Sequence, residues 1–180
     1  MADIPASSSI ANGWQLTTDR LVLRQLTVAD APFMLTLLNS PLWLRFIGDR
    51  NVHTLQQARQ YIQNGAIRSY EQHGFGTYRV SLRETGDPIG TCGLHRRDGL
   101  PDVDLGFAFL PGFEGNGYGY ESASAVLTYA ADELKLPRLT AFCDPDNRAS
   151  IALIEKLGFQ FEKSIQYGQK ESRLYGRYFG

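Results

Sequence analysis

The stretch 104–125, DLGFAFLPGFEGNGYGYESASA, constrains this chain more than any other. Leu105, Phe107 and Phe109 alternate with Asp104, Gly106 and Ala108, the period of two that marks a strand. Pro111 and Gly112 end that strand. Gly115, Gly117 and Gly119 then fall two apart, and a helix follows with Ala123, Val126, Leu127, Ala130 and Leu134 on its apolar face. A strand, a glycine-spaced loop and a helix make an anion site. Without side chains the loop's N–H groups turn inward together, and the helix start adds partial positive charge. A tight connection with no ligand is the alternative reading of the same glycines.

The kind of anion is narrowed by what the loop lacks. Tyr120 and Glu121 follow Gly119, so the dinucleotide pattern GxGxxG fails at its third glycine, and no Gly-Lys-Ser/Thr completes a nucleotide-triphosphate loop. Asp144, after the next strand, could imitate the acid that holds a dinucleotide ribose. Hairpins before the loop argue against that, since a dinucleotide domain alternates strand and helix.

The flanking sequence describes one α/β domain with a mixed sheet. A small polar segment, 1–13, reads as a flexible tail, and 14–180 reads as the folded domain. A first strand is expected at 20–24. A helix starts at Thr27, with Asp30 as a weak capping-box partner and Phe33, Met34, Leu37 and Leu38 as its buried stripe. Pro41-Leu42-Trp43-Leu44-Arg45-Phe46-Ile47-Gly48 reads as an aromatic connection, either pinned by burial or forming a substrate wall. Thr54 with Gln57 is a capping box for a second helix that exits at Gly74. Strands at 76–83, 89–96 and 103–110 are joined by Thr85-Gly86-Asp87-Pro88 and Asp98-Gly99, so they are antiparallel neighbours. After the long helix, Arg138–Cys143 returns as a strand parallel to 103–110 through a right-handed crossover. Asp146 or Asn147 caps a helix that buries Ile151, Ile154 and Leu157 and ends at Gly158. Final strands are expected at 159–163 and 173–179.

Composition excludes several functions. Lys and Arg number 18 against 19 acidic residues, a net charge of −1, so no broad basic surface invites nucleic acid. No apolar run approaches a membrane span. The cysteines, Cys92 and Cys143, cannot build a disulfide framework, and their spacing with the three histidines suggests no metal site. Residues 1–13 carry neither a basic cluster nor an apolar core, so no signal peptide is read there and a cytoplasmic location is expected.

Read from Glu114, the loop is E-x-x-G-x-G. It resembles the coenzyme A loop Q/R-x-x-G-x-G/A of the GNAT-superfamily N-acetyltransferases, with Glu114 in place of the usual Gln or Arg. Asn147-x-x-Ser150, followed by Lys156-Leu157-Gly158-Phe159, resembles their distal N-x-x-S/A…K-L-G-F, and Asp19-Arg20-Leu21-Val22-Leu23-Arg24 resembles their opening strand. The blocks stand in the family's order from Leu16 to the C-terminus. Within the superfamily the chain is most similar to the subgroup of ribosomal-protein N-terminal acetyltransferases.

The resemblance implies a single-domain GNAT-like fold, a mostly antiparallel sheet flanked by helices, with one parallel strand pair that splays apart. It implies acetyl-CoA as co-substrate, no metal, and direct attack of a primary amine in a ternary complex. The acceptor is a protein N-terminus or a small molecule. The alternative is a non-catalytic domain of the same fold that binds an acyl-CoA or a partner. Backbone groups of Phe107 and Phe109 would hold the pantetheine, and Gly115, Asn116, Gly117, Gly119 and Tyr120 would wrap the pyrophosphate. Asn147 would serve coenzyme A or only cap its helix. Ser150 would hydrogen-bond the leaving thiolate, because the tyrosine that many members use is replaced by Ile154.

Asp104 is the candidate proton acceptor, with an exposed strand carboxylate as its plain alternative. His95 could touch the acceptor or be an ordinary rim histidine. An α-amine, with a pKa of ~7.7–8.0, needs less help than a lysine amine at ~10.4. Tyr167, Tyr175, Tyr178 and Phe179 read equally as a homodimer contact or as core.

Overall fold

A computed structural model describes residues 13–180. The expected tail, Gly13 apart, lies outside the described residues. The eight strands form one sheet in the order β1-β2-β3-β4-β5-β6-β8-β7. They are β1 (Gln15–Thr17), β2 (Leu21–Gln25), β3 (Thr77–Leu82), β4 (Pro88–His95), β5 (Asp104–Phe109), β6 (Arg138–Cys143), β7 (Gln160–Tyr167) and β8 (Lys170–Tyr178). Every neighbouring pair is antiparallel except β5 with β6. This is the expected mixed, mostly antiparallel sheet.

The parallel pair organises the rest. The β4–β5 ladder runs from Gly90 opposite Phe109 to His95 opposite Asp104, whereas the β5–β6 ladder holds a single facing pair, Asp104 with Thr140. The carbonyl of Val103 accepts from the Thr140 N–H at 3.0 Å, and the Leu110 N–H turns the other way to Ile89. Backbone groups alternate along a strand. Leu105, Phe107 and Phe109 therefore present theirs to the side where β6 has diverged. The splay foreseen from the resemblance is present.

Helix α5 (Tyr118–Asp132) buries Ser122, Ala123, Val126, Leu127 and Ala130, nearly the stripe expected from spacing, and packs on β2, β4 and β5. Cys92, Leu94 and Leu105 of β4 and β5 are buried on that face, as is Val80 of β3. The register puts Thr77, Thr91, Gly106 and Ala108 on the opposite face. Above that face run α1 (Ala31–Leu38), α2 (Pro41–Phe46), α3 (Leu55–Ile62), a wider π turn at Gln63–Ile67, and α4 (Arg68–His73). The Thr54–Gln57 box is formed, with the Gln57 N–H donating to Thr54 Oγ1 at 3.1 Å and the Thr54 N–H to Gln57 Oε1 at 3.2 Å. Gly74 ends the run at φ 76°, a conformation glycine adopts without strain.

Four expectations are corrected. The aromatic connection is in part a helix, because Ser40 is extended and Pro41 supplies the preset φ of a first helical position. The helix expected from Thr27 begins with a tight turn, Val28–Asp30, before α1. Asp30 is buried there, accepting from Arg24 at 2.8 Å, Arg79 at 2.9 Å and the Thr27 N–H at 2.9 Å. Burial alone would raise its carboxyl, but these donors outweigh it and hold the group below the usual carboxylate range. The final strands are longer than expected and are preceded at the other end of the sheet by the short β1. Strand β7 is an edge whose residues are largely exposed, so its polar composition hid it. Among the terminal aromatics, Tyr175 is fully buried and Tyr178 is 73% exposed, stacked under Arg138. Among the described residues no helix is long and apolar enough to cross a membrane.

Candidate functional site

The glycine loop is a built turn. Gly112, Gly115 and Gly117 hold φ of 91°, 75° and 82°, values that favour glycine, and Gly117 caps α5. Gly119 serves differently. A Cβ there would stand 2.8 Å from Leu153, so it lets α5 approach α6 (Arg148–Lys156). Glu114 folds back on the loop and accepts the Gly112 N–H at 2.9 Å, which gives the departure from Gln or Arg a local role.

Arg20 clamps this loop from the opposite end of the chain. Its Nε donates to Glu121 at 2.7 Å, its Nη1 to the Asn116 carbonyl at 2.9 Å, and its guanidinium lies 4.5 Å from the Tyr118 ring. Glu121 also accepts from the Thr18 hydroxyl at 2.6 Å and the Arg20 N–H at 2.8 Å. Burial pushes this carboxyl up, but the hydrogen bonds from Thr18 and Arg20 prevail and its pKa is lowered. Tyr120 is exposed, with Lys156 stacked 4.5 Å from its ring.

Where β5 and β6 part, the chain encloses a cavity of about 820 Å³. Thr77, Thr91, His95, Gly106 and Ala108 lie along its floor, Trp43, Phe46 and Tyr61 along its roof, and Asn147, Ser150 and Ile154 at its end. Trp43 and Phe46 of the aromatic segment line the cleft, and no residue of α2 is buried, so the segment is not pinned by burial. Asn147 caps α6, its side-chain oxygen accepting the Ser150 N–H at 3.1 Å, which leaves the half-buried Ser150 side chain at the cleft. Ile154 is buried and offers no acid.

Asp104 is not the exposed carboxylate of its plainer reading; it is 1% exposed. Its Oδ1 accepts from Arg97 Nε at 2.8 Å, and its Oδ2 stands 3.7 Å from His95 Nδ1. Arg97 in turn lies 5.2 Å from the Phe142 ring and 5.9 Å from that of Tyr167, so it spans the mouth of the splay from β4 to β6 and β7. Burial raises the Tyr61 hydroxyl, against the pull of Arg50 and Arg97. Burial also pushes the thiols of Cys92 to about 12 and Cys143 to about 11, so both are protonated near neutrality and neither is a ready nucleophile. Arg20, Arg97 and Thr77 escaped the sequence reading of roles, whereas His95 was read as an acceptor contact or an ordinary rim histidine. Only Arg20 lay inside a quoted motif.

A helix-start loop beside a splayed parallel pair, opening on a cleft with a serine at its end, defines an acyl-CoA-dependent acyltransferase. Residues 20–160 match the acetyltransferase (GNAT) domain family, and the chain belongs to it: it is a GNAT N-acetyltransferase. It is 34% identical over 153 residues to the uncharacterised N-acetyltransferase YoaA of Bacillus subtilis (strain 168), covering 82% of this chain and 83% of that protein. Among solved structures it resembles the acetyltransferase from Agrobacterium tumefaciens str. C58, with a TM-score of 0.81, 28% identity, and 96% and 99% of the two chains covered. It shares its fold with RimL, the ribosomal L7/L12 α-N-protein acetyltransferase, in complex with coenzyme A. That match has a TM-score of 0.77, 20% identity, and 89% and 95% coverage. GNAT acetyltransferases use acetyl-CoA.

Proposed function

We propose that this enzyme acetylates a primary α-amine, at a protein N-terminus or on a small molecule, by direct attack on acetyl-CoA within a ternary complex. The pyrophosphate rests on N–H groups of Gly115, Asn116, Gly117, Gly119 and Tyr120, with Arg20 holding the loop in shape. The pantetheine amides pair with the backbone of Phe107 and Phe109, which β6 leaves open. That places the thioester near Ser150, whose hydroxyl hydrogen-bonds the departing thiolate. The bond strengthens as charge develops on sulfur, so it favours the transition state over the bound substrate.

The single observation that carries this reading is the one-pair β5–β6 ladder opening into the cleft that Ser150 ends. The preference for an α-amine follows from Asp104. Its Oδ1 is engaged by Arg97, so the cleft's carboxylate is a poor match for stripping a lysine ammonium. It serves the transfer by fixing the charges around the amine.

A melting-temperature panel with acetyl-CoA, coenzyme A and NAD tests the reading, followed by a screen of N-terminal peptides, polyamines and lysine side chains. Coenzyme A at 100 times its dissociation constant adds roughly 2.7 kcal/mol, and NAD adds nothing. Acetylation confined to lysine side chains would reject the α-amine preference.

A further inference from the structure

We propose that His95, reached through the hydroxyl of Thr77, accepts the amine's proton, and that Asp104 positions His95 instead of taking the proton itself. The inference rests on the acetyl-transfer reading above and names the base that reading leaves open. Thr77 Oγ1 and His95 Nε2 are 2.8 Å apart, on neighbouring strands, and both residues line the cleft that Ser150 ends. The other ring nitrogen, Nδ1, is buried and has no hydrogen-bond partner among the described residues. It faces Asp104 Oδ2 at 3.7 Å, while Asp104 Oδ1 is already taken by Arg97.

These contacts select one tautomer. A ring proton on Nδ1 points at a carboxylate and leaves Nε2 free to accept from Thr77. A proton on Nε2 would waste that acceptor and turn a lone pair toward the buried carboxylate. Gly106 makes the arrangement fit, because a Cβ there would stand 2.9 Å from His95 Cε1. The charged groups facing the ring are Asp104 from β5 and Arg97 from the segment after β4; Tyr61 and Arg50 line the cleft from the helical side. Arg97 occupies Asp104 Oδ1, and Oδ2 is left facing the ring.

The proton step balances as follows. The amine nitrogen attacks the thioester carbon, a C–N bond forms and the carbonyl pair moves to oxygen. An N–H proton passes to Thr77 Oγ1, directly or through one water, as the hydroxyl hands its own proton to Nε2. The oxygen's pair then re-forms the carbonyl as the C–S bond breaks, the thiolate leaves beside Ser150 and takes a proton from solvent, and His95 returns its own proton to solvent.

The test compares the parent with His95→Gln, Thr77→Val and Thr77→Ser, using acetyl-CoA and an alanine-initiated tripeptide amide across the acid range. His95→Gln should slow transfer about 10²-fold. It should also lower by one the order in hydroxide of kcat/KM, since one ionisation is gone and only the amine's remains. Thr77→Val should do the same, and Thr77→Ser should restore the parent profile. The melting shift with coenzyme A should stay in all four proteins, which separates a lost base from a lost co-substrate. An equal loss at every pH, or a Thr77→Val enzyme with the parent profile, overturns the proposal. A second readout needs no acceptor: ¹⁵N spectra of the coenzyme A-bound parent should show His95 protonated on Nδ1, and an Nε2–H ring overturns the relay. If coenzyme A gives no melting shift, the acetyl-transfer reading itself fails, whatever the tautomer.

Discussion

The coenzyme-side loop and the acceptor cleft lie at opposite ends of β5 and are made in opposite ways. The loop is local: within ten residues, glycines at positive φ aim backbone groups, and Arg20 and Thr18 reach it from afar. The cleft is non-local. Its polar floor is Thr77, His95, Arg97 and Asp104, brought together by the register of three strands. A backbone site survives changes of side chain and fails when a glycine is filled. A side-chain site behaves the other way round. The split fits the tasks proposed above, the coenzyme at the loop and the acceptor in the cleft.

The variant with the largest expected effect would break this contrast at the loop. Gly117→Val forces a branched side chain into φ 82°, 3.2 Å from the Arg20 guanidinium at its Cβ. Strain of about 1–2 kcal/mol leaves the protein folded. The melting shift with coenzyme A, roughly 2.7 kcal/mol at 100 times the dissociation constant, should vanish. An undiminished shift in a folded variant would mean that the phosphates lie elsewhere.

Asp104→Asn acts on the cleft. It strips Arg97 of its partner in a buried setting, and because Arg97 is 27% exposed the cost should be about 2 kcal/mol, below that of a fully buried pair. Urea denaturation reads the stability, and the coenzyme shift should persist. Transfer should fall as well, because His95 loses the carboxylate that is proposed to position it. A stability equal to the parent's would make the Arg97 pair energetically idle.

Ser150→Ala sits where the two regions meet. Transfer should slow about tenfold, a loss of ~1.4 kcal/mol of transition-state stabilisation, with coenzyme A affinity nearly unchanged. A matching drop in affinity would place the serine in ground-state binding.

The smallest effect is a titration. Glu121 has a lowered folded pKa, so its contribution is complete above the unfolded glutamate value of about 4.3 and is lost as pH falls through the folded one. Its hydrogen bonds tie Arg20 and Thr18 to the loop. Coenzyme A affinity measured by calorimetry should therefore weaken in that acid window more in the parent than in Glu121→Gln. Parallel curves for the two proteins would detach the loop's shape from this carboxylate.

How much could be read from sequence follows the same division. The Thr54–Gln57 box and the Asn147 cap are short-range codes and are present as read, while of the spaced glycines Gly115 and Gly117 form the loop and Gly119 lies inside α5. The strand order near β5 followed from short turns and one crossover. The Arg97–Asp104–His95 cluster was invisible because a strand carboxylate looks alike whether its neighbour across the sheet is arginine or valine. Asp30 was read as a weak cap, and its two arginines come from different strands. Helix α2 was missed because Trp43 and Phe46 in a short run read as anchors of a loop. Strand β7 was cut short because a bulge between Phe161 and Lys163 breaks the alternation that Ile165 and Tyr167 resume.

The single rung between β5 and β6 has a further consequence for how the empty enzyme behaves. A sheet of eight strands ordinarily has two edges, yet here two more lie in its interior, with main-chain amides of Phe107 and Phe109 facing a gap. Central in the sheet, they should nonetheless exchange hydrogen with solvent as quickly as loop amides, while the β4 amides beside them stay protected. Coenzyme A would then act as a surrogate strand. Its binding should be visible as an island of slowed exchange at Phe107 and Phe109, with no change in the number of strands.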